Sequence, residues 1–400
     1  MIAYISPLVP KKTGIALYSH HLIRALQPVL ADKNIALDVF DDGVLETNAH
    51  QSDYVAQELL PLLFEKSRRE KYQQFIYHLG NNPSFHLSIL RLLRQQPGIV
   101  VLHDTVLYFL IAGEGLGGLW KALDNQDIDV TLDCIDHILA NCPDGNILRY
   151  SSPEKHPFLQ NILAHASSVV VHSKMAKSLV FDAGYKGAIV QVPLIDYQQA
   201  TTFDAQFIEN KAVLNLLNQK SSNHLFIIGL FGFAGKTKRS RSIFQAISEL
   251  DDSIKSRLRL MIVGNDLYQN DISALGLSDL VMNTGYVSDG DYDQCMALCD
   301  LVINLRFPSM GETSAVQIQA MSAKKATIVS DYGWFSELPS SAVYKIPVDN
   351  TEVTALKAAI ITLIDNSEYR LSIAHGAKQH INQYHSVDTV AEQWLDILLT

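Results

Sequence analysis

The chain lacks a long hydrophobic run, since no uninterrupted apolar segment in its 400 residues reaches the roughly twenty residues that a transmembrane helix needs. It has only four cysteines, which do not make a disulfide framework in a chain of this length. It also lacks a basic excess, because its formal net charge of −10 argues against general nucleic-acid binding while leaving room for local anion sites. The first residues, MIAYISPLVPKKTG, lack the basic-then-apolar layout of a signal peptide. These absences favour a cytoplasmic protein that has no nucleic-acid partner.

What the chain does contain is a series of short apolar runs. Hydrophobic residues make up 48% and charged residues 18% of the sequence, which is typical of a soluble globular protein. A chain of 400 residues is too long to fold around one ordinary hydrophobic core, so its length predicts two domains. The apolar runs alternate with amphipathic segments, a pattern that favours an α/β fold with helices on both faces of parallel sheets. The predicted strands cover residues 2–6, 36–40, 75–79, 99–102, 169–172 and 189–192 in the first half, and 225–231, 258–263, 301–305 and 326–329 in the second.

The stretch from Asp300 to Pro339 carries the clearest functional pattern. Its first residues, Leu301 to Leu305, form a short apolar run that predicts a strand buried on both faces. Arg306 follows at the carboxyl end of this strand, where open α/β sheets bind their ligands. The turn over 311–314 then leads into a helix, whose first backbone N–H groups suit a phosphate.

This stretch resembles the retaining glycosyltransferases of the GT-B fold, in glycosyltransferase family four. The resemblance rests on Leu-Arg-Phe-Pro-Ser-Met-Gly-Glu-Thr-Ser at 305–314, a helix, a strand ending in Ser-Asp, and then Gly-Trp-Phe-Ser-Glu-Leu-Pro at 333–339. Most family members carry two glutamates eight residues apart. Here Gln319 stands at the second position and Gly311 at the first, so that Glu312 comes one residue late.

The resemblance implies two Rossmann-like, doubly wound parallel-sheet domains that face each other across a cleft. Residues 1–195 would form the acceptor-side domain, and residues 196–383 the domain that binds a nucleotide sugar. The polar segment 196–223 is interpreted as the linker between them. A final helix, about residues 384–400, would pack back on the first domain.

The loop at the start of the first domain carries Lys11, Lys12, Thr13 and Gly14. From the residues alone, an ordinary strand-to-helix connection and a ligand site are equally well supported. The resemblance favours the ligand site, because family members place a glycine loop near the donor diphosphate. Gly14 would let the backbone approach the ligand, whereas the two lysines are expected to be solvated.

Two further loops of the first domain follow predicted strands. Asn81 or Asn82 would cap the next helix, and the resemblance also places both residues on the acceptor side. His103 and Asp104 end another strand at the same sheet edge. A lone histidine most often has a structural role. The resemblance places this pair at the sugar-transfer centre. His103 would hydrogen-bond the donor sugar, and Asp104 would orient it or cap the following helix.

A cluster of basic residues follows the first strand of the second domain, at Lys236, Lys238, Arg239 and Arg241. The sequence is a near miss for a P-loop, because Leu230 stands where the first glycine is needed. Cations at a helix start oppose the helix dipole, so the cluster favours a bound anion. The resemblance assigns the lysine that neutralises the donor diphosphate to Lys238, with Lys236 as the alternative.

Two more positions of the second domain follow from the same resemblance. Phe233 stands where many family members have an arginine, which would place more of the phosphate charge on Arg306. Asn265 and Asp266 end the next strand and would lie near the nucleotide base.

No metal or other cofactor is expected beyond the donor substrate itself. The pairs Asp127/Asp129 and Asp289/Asp291 fit an Asp-x-Asp metal motif, but both are better interpreted as helix starts. The cysteines and histidine at 134, 137 and 142 fit no established zinc spacing. A diphosphate site made of lysine, arginine and a helix start needs no metal.

These residues predict a retaining glycosyltransferase that moves a sugar from a nucleoside diphosphate to a glycan or lipid-linked acceptor hydroxyl. Lys238, Arg306 and the N–H groups near Thr313 and Ser314 would stabilise the charge on the leaving diphosphate. Glu312 would hold the sugar hydroxyls, and no residue is assigned as the general base. Bacterial polysaccharide or lipopolysaccharide assembly, at the inner face of the membrane, is what the resemblance suggests.

Three other functions remain open from the sequence. A GT-B epimerase would use the same phosphate site without an acceptor. A GT-B subunit that has lost catalysis is suggested by Gln319 and Phe233. A P-loop phosphotransferase is the least favoured, because of the wrong glycine spacing.

Overall fold

The computed structural model describes residues 1–43, 54–123, 127–196, 208–232, 236–264 and 268–399. The chain divides into two compact units. The first unit comprises Met1–Ile195, Met310–Thr313 and Val387–Thr400, and the second comprises Asp196–Ser309 and Ser314–Ser386. Phe233, Asn265 and Asp266, which were assigned roles by the resemblance, lie outside the described residues.

The first unit is built on a parallel sheet. Within the described ranges this sheet has seven strands, in the order β3-β2-β1-β4-β5-β6-β7. Strands β1 and β5 are buried along their whole length, as their continuous apolar sequences require of central strands. The strands are β1 Ile2–Ile5, β2 Leu37–Asp41, β3 Ala56–Glu58, β4 Gln74–Leu79, β5 Gly98–Leu102, β6 Ala166–Val171 and β7 Ala188–Gln191.

Helices connect these strands and cover the sheet. Their buried residues join those of the strands in a hydrophobic core. The helices are α1 Gly14–Asp32, α2 Leu60–Phe64, α3 Lys66–Arg69, α4 Pro83–Gln95, α5 Tyr108–Ala112, α6 Leu116–Leu123, α7 Ile128–Ala140, α8 Leu159–Leu163 and α9 Lys174–Asp182.

The second unit repeats this architecture with its own sheet. Six strands of the described chain pair in the order β10-β9-β8-β11-β12-β13, and all pairs are parallel. The strands are β8 Phe226–Phe231, β9 Leu258–Val263, β10 Val281–Gly285, β11 Leu301–Asn304, β12 Ala326–Ser330 and β13 Tyr344–Ile346. The helices after α9 are α10 Lys211–Asn223, α11 Ser240–Ser248, α12 Asp252–Lys255, α13 Gln269–Ala274, α14 Asp289–Leu298, α15 Ala315–Ser322, α16 Glu352–Asp365, α17 Ser367–Tyr384 and α18 Val387–Leu399.

The C-terminal helix α18 belongs to the first unit, although α16 and α17 belong to the second. It packs against α1, and its Trp394 is fully buried. The indole Nε1–H of Trp394 donates to the hydroxyl of Tyr18 on α1 at 3.1 Å. The first unit is therefore completed by a segment distant in the sequence.

The prediction of an α/β fold with two parallel sheets is confirmed. The structure adds three strands that the sequence did not predict, β3, β10 and β13, and each lies at an edge of its sheet. The interpretation of 196–223 as a linker is wrong for α10, because Val213 and Leu216 on this helix are buried in a core of the second unit. Across the described ranges, no helix has both the length and the apolarity needed to cross a bilayer.

Candidate functional site

Gly14 is the first residue of α1, directly after the loop that follows β1. The hydroxyl of Thr13 caps the helix by accepting from the N–H of Ile15. A Cβ added to Gly14 would meet no atom within 4 Å. The packing of the chain therefore does not require glycine here, and the backbone at this helix start is open to close approach.

The loop before Gly14 is held by a buried carboxylate. Asp41 accepts from the backbone N–H of Leu8 at 3.0 Å and forms an ion pair with Lys11 at 2.6 Å. Burial raises the pKa of Asp41, and the hydrogen bond and charge of Lys11 act in the opposite direction. The expectation that Lys11 is solvated is thus wrong, since its ammonium group is needed to neutralise Asp41.

The residues predicted for the acceptor side contact one another. The side chain of Asn82 caps α4 by accepting from Ser84 N–H at 3.0 Å, which confirms its predicted capping role. The side-chain oxygen of Asn81 accepts from the N–H of Phe109 at 2.8 Å, at the start of α5. Asp104 accepts the backbone N–H of Asn81 at 2.8 Å, so it fixes the preceding loop instead of capping the next helix. A direct contact of these residues with an acceptor stays a prediction.

His103 follows β5 at the same sheet edge and is half-buried. Its Nε2 lies 3.0 Å from Nδ1 of the fully buried His78. Burial, followed by the neighbouring imidazoles of His172 and His78, lowers the pKa of His103 well below its ordinary value. His103 is therefore a neutral imidazole around neutral pH.

The segment 310–313 belongs to the first unit and is attached to the loop after His103. The carbonyl of Met310 accepts from the N–H of Thr105 at 2.8 Å. Gly311 has a φ of +80°, and a Cβ at this position would lie 1.8 Å from the hydroxyl of Thr105. Only glycine fits there, so the carboxylate comes one residue later, at Glu312. Glu312 accepts from the N–H of Met310 at 2.6 Å, and no polar atom of the described chain pairs with the buried hydroxyl oxygen of Thr313.

Lys238 and Arg306 lie on loops after neighbouring strands of the second unit, β8 and β11. The N–H of Phe307 donates to the carbonyl of Thr237 at 2.7 Å and ties the two loops together. The ammonium group of Lys238 donates to the carbonyl of Phe231 at 2.7 Å. The backbone N–H of Arg306 donates to the buried hydroxyl of Ser330 at 3.0 Å. The ammonium group of Lys238 and the backbone of Arg306 are thus fixed after two adjacent strands.

The two arginines of the basic cluster, Arg239 and Arg241, pair with carboxylates of the chain. Arg239 forms an ion pair at 2.8 Å with Glu352, whose side chain is 2% exposed. Arg241 pairs with Asp271 at 3.0 Å. The interpretation of the whole cluster as an anion site is therefore wrong for both arginines, because carboxylates of the chain already neutralise them. The side chain of Lys236, the alternative to Lys238, lies outside the described residues.

Ser314 is a helix cap, and its hydroxyl is bound within the protein. It accepts from the N–H of Gln317 at 3.3 Å and from the side-chain amide of Asn304 at 3.0 Å. Gln317 in turn donates to the hydroxyl of Thr327 at 2.7 Å. This buried network fixes the start of α15 beside the end of β11. Asn304 and Gln317 were not predicted from the sequence. The one signal for them there is a polar residue inside an apolar run.

Gln319, which replaces the family's second glutamate, accepts from the hydroxyl of Tyr292 at 2.9 Å. The ring of Tyr292 packs edge-on against Phe231, with the centroids 5.1 Å apart. The amide at position 319 therefore has a partner within the second unit, which the sequence did not indicate.

The Asp-x-Asp pairs act as helix starts. Asp127 caps α7 by accepting from Asp129 N–H at 2.9 Å. Ser288 caps α14, and Asp291 accepts from the N–H of Glu209 at 3.0 Å. Over the described residues, no group of three or more histidine, cysteine, aspartate or glutamate side chains is arranged to hold a metal ion.

Residues 217–380 match the family model described as glycosyl transferases group 1. An uncharacterized glycosyltransferase of Methanocaldococcus jannaschii is 27% identical over 154 residues, which cover 37% of this chain and 38% of that protein. The chain thus matches well under half of the length of this relative.

Among solved structures, Anabaena HepE in complex with UDP-glucose superposes with a TM-score of 0.64 and 18% identity, covering 99% of this chain and 98% of that one. WaaG, a glycosyltransferase involved in lipopolysaccharide biosynthesis, gives a TM-score of 0.62 at 11% identity and covers 99% of both chains. A sucrose-phosphate synthase from Thermosynechococcus elongatus gives 0.61 at 17% identity, covering 99% of this chain and 98% of that one. At these identities the likeness concerns the fold, and it confirms the GT-B prediction.

Proposed function

We propose that the protein transfers a sugar from a nucleoside diphosphate to an acceptor hydroxyl, because residues 217–380 match the model of group 1 glycosyl transferases and the fold is similar to that of solved GT-B glycosyltransferases. We further propose that the reaction retains the anomeric configuration, and that UDP-glucose, which Anabaena HepE binds, is the first donor to test.

The observation that carries this proposal is the pair of cations at the strand ends of the second sheet. Lys238 and Arg306 come from loops that the Phe307–Thr237 hydrogen bond ties together. Cations on loops that follow two neighbouring strands, in a chain of net charge −10, are suited to a diphosphate. As the bond from the anomeric carbon to the phosphate breaks, the electron pair goes to the diphosphate oxygen, and these cations stabilise that charge.

The sugar gains oxocarbenium character as its bond to the diphosphate breaks, and the acceptor oxygen then bonds to the anomeric carbon. Glu312 would hold the hydroxyls of the sugar, and His103 would donate a hydrogen bond to it. The acceptor proton goes to the leaving diphosphate, so no side chain is needed as a general base. Gly14 would allow the start of α1 to approach the donor.

A thermal-shift experiment with UDP, GDP, ADP, TDP and CMP tests the donor site on the wild-type protein and on Arg306→Ala. A ligand that binds the folded state raises the melting temperature by mass action. We expect one nucleoside diphosphate to raise it in the wild type and to lose this effect in Arg306→Ala. Arg241→Ala is the matched control, because it removes the same charge from an exposed ion pair in the same unit.

Product analysis separates this proposal from the two main alternatives. Transfer to an acceptor with retained configuration, seen by NMR of the product, supports the proposal. Conversion of the donor sugar into its epimer would show a GT-B epimerase. Nucleotide binding without any turnover would indicate a catalytically inactive subunit.

We propose that the reaction needs no metal ion. Both Asp-x-Asp pairs serve as helix starts, and Lys238 and Arg306 supply positive charge at the site. Activity should therefore persist in the presence of a chelator, and a strict requirement for a divalent cation would contradict the proposal.

For the biological setting, we propose bacterial polysaccharide or lipopolysaccharide assembly in the cytoplasm, with a glycan or lipid-linked acceptor presented at the inner face of the membrane. The support is the sequence resemblance together with the likeness in fold to WaaG.

A further inference from the structure

Three histidine rings meet at the strand ends of the first unit. His78 lies in β4, and His103 and His172 directly follow β5 and β6, which are consecutive neighbours in the sheet. The ring centroids of His78 and His103 are 5.3 Å apart, and those of His103 and His172 are 4.8 Å apart. Of the three, only His103 was predicted to touch substrate. The other two therefore call for a separate explanation.

The surroundings of these rings fix their positions. Tyr18 places its ring edge-on to His103, with the centroids 5.1 Å apart, and also contacts His172 at 5.3 Å. The rings of Tyr4 and His78 are tilted to each other, with their centroids 4.5 Å apart. Trp394 of α18 holds Tyr18 through its indole N–H. His78 is fully buried in this aromatic surrounding.

The position of the proton on His172 follows from its partner. Nδ1 of His172 lies 2.9 Å from the carbonyl oxygen of Val192. Because a carbonyl only accepts, Nδ1 must carry the proton in the neutral ring. Nε2 of His172 is then a bare acceptor, and no polar atom of the described residues pairs with it.

The contact between His78 and His103 allows two arrangements of one proton. If Nε2 of His103 donates to Nδ1 of His78, the proton of neutral His78 lies on its Nε2. That atom is buried, and no polar atom among the described residues pairs with it, so an N–H donor would be left unsatisfied. If Nδ1 of His78 donates instead, its Nε2 is a bare acceptor, as in His172. A buried unsatisfied donor is rarer in proteins than an unsatisfied acceptor, which favours the second arrangement.

We infer that His78 is a positioning residue for His103: the Nδ1–H of His78 donates to Nε2 of His103 and holds His103 as the tautomer that carries its proton on Nδ1. In this tautomer the remaining ring nitrogen of His103 is a hydrogen-bond donor and cannot accept a proton. His103 therefore binds an oxygen of its ligand as a neutral donor and does not act as a general base. The step from tautomer to catalysis rests on the proposed function, whereas the tautomer itself does not.

The charge state of the cluster agrees with this assignment. Burial lowers the pKa of His78 well below its ordinary value, and it lowers that of His172 to about 4. All three rings are consequently neutral around neutral pH, and each carries a single ring proton.

NMR of the protein labelled with ¹⁵N-histidine measures the tautomer without any substrate. Long-range proton–nitrogen correlations distinguish a protonated from a bare ring nitrogen, and the spectrum of His103→Gln identifies the signals of His103. We expect Nδ1 of His103 to be protonated and Nε2 to be bare in the wild type at neutral pH. The reverse pattern in the wild type would overturn the proposal, whether or not the protein transfers sugar.

Two substitutions of His78 test the positioning role. His78→Asn keeps an N–H donor near the place of Nδ1, whereas His78→Phe keeps a ring but removes the donor. We expect His78→Phe to release His103 to the other tautomer and to lower kcat about tenfold with little change in the KM of the donor, the size expected for one hydrogen bond. In His78→Asn, by contrast, His103 should keep its Nδ1–H tautomer and kcat should stay close to that of the wild type. An unchanged His103 tautomer in folded His78→Phe would refute the role.

The outcomes separate this inference from the proposed function. If no sugar is transferred by any variant while the wild type shows the Nδ1–H tautomer and His78→Asn preserves it, the proposed function fails and the tautomer assignment stands. If His78→Phe does not fold, the wild-type spectrum and that of His78→Asn still decide the assignment, because loss of the Nδ1–H tautomer in either one contradicts it.

Discussion

At the scale of single residues, Lys238 and Arg306 are the positions on which the proposed chemistry depends most. The ammonium group of Lys238 donates to the backbone carbonyl of Phe231, and the backbone N–H of Arg306 donates to the side-chain hydroxyl of Ser330. Their neighbours Arg239 and Arg241 have the same charge but pair with carboxylates of the chain. The ion pairs of Arg239 and Arg241 assign these two residues a structural role.

Lys238→Ala or Arg306→Ala should cost about 3 kcal/mol or more of transition-state stabilisation, because each removes a cation from the leaving diphosphate. The measurement is kcat/KM for the donor, with melting temperature as a check on the fold. Arg241→Ala should keep kcat/KM close to that of the wild type. Normal turnover in both Lys238→Ala and Arg306→Ala would refute the phosphate assignment.

Substitution by alanine should change the free energy of unfolding differently at Gly311 and at Gly14. Gly311→Ala should lower the free energy of unfolding by about 2 kcal/mol or more, because its φ of +80° and the contact with Thr105 both exclude a side chain. Gly14→Ala should leave the free energy of unfolding unchanged or slightly higher, since its Cβ would meet nothing within 4 Å. Chemical denaturation of both variants measures this difference.

Gly14→Ala also tests the predicted ligand contact. If the start of α1 approaches the donor, the added methyl group should raise the KM for the donor while the protein stays as stable as the wild type. An unchanged KM would place the donor away from this loop.

At the scale of elements, the loops differ in what anchors them. The loop before α1 is anchored by buried Asp41, and a backbone hydrogen bond joins the loops after β8 and β11. The helix α15 starts at a buried side-chain network around Ser314. Each anchor fixes the backbone, so the side chains at the strand ends are positioned before any ligand binds.

The helix α18 is expected to stabilise the histidine cluster of the first unit. Trp394→Ala should lower the free energy of unfolding by about 3–5 kcal/mol, because it leaves a cavity and removes the partner of the Tyr18 hydroxyl. Trp394→Phe should cost less, since it keeps most of the buried ring. Chemical denaturation followed by circular dichroism measures both, and equal, small effects would show that α18 contributes little to the first unit.

At the scale of the whole molecule, buried neutral histidines make stability depend on pH. Burial lowers the pKa of His86 to about 3 and that of His172 to about 4, whereas both groups titrate near 6.5 when unfolded. The unfolded chain therefore binds more protons than the folded chain below about pH 6.5, down to about pH 4 for His172 and about pH 3 for His86. The stability contributed by these groups is complete above pH 6.5 and is lost as the pH falls through this window.

His172→Asn should weaken the dependence of the free energy of unfolding on pH. Asparagine keeps an N–H donor for the carbonyl of Val192 but does not titrate. The measurement is the free energy of unfolding at pH 7 and pH 4.5, and the difference between the two should be smaller in the variant. An equal difference in both proteins would show that His172 is not the neutral buried group described here.

The sequence by itself determined the α/β class, the central strands and most helices, because these segments carry continuous apolar runs or amphipathic periods that are readable locally. It also placed Lys238, Arg306, His103 and Glu312 at the carboxyl ends of strands or at turns. Three of the four edge strands, β3, β10 and β13, were not predicted, because an edge strand is paired on one side only and needs no continuous apolar run.

What only the tertiary structure decided is which polar groups meet. The pairing of Arg239 with Glu352 joins residues 113 positions apart, and the contact of His78 with His103 joins residues 25 apart. The need for glycine at 311 arises from Thr105, which lies in another part of the chain. Such contacts depend on how the strands are ordered in each sheet, and no local pattern encodes that order. The sequence thus specifies which chemical groups stand at the strand ends, and the order of the strands in each sheet decides which of those groups come together.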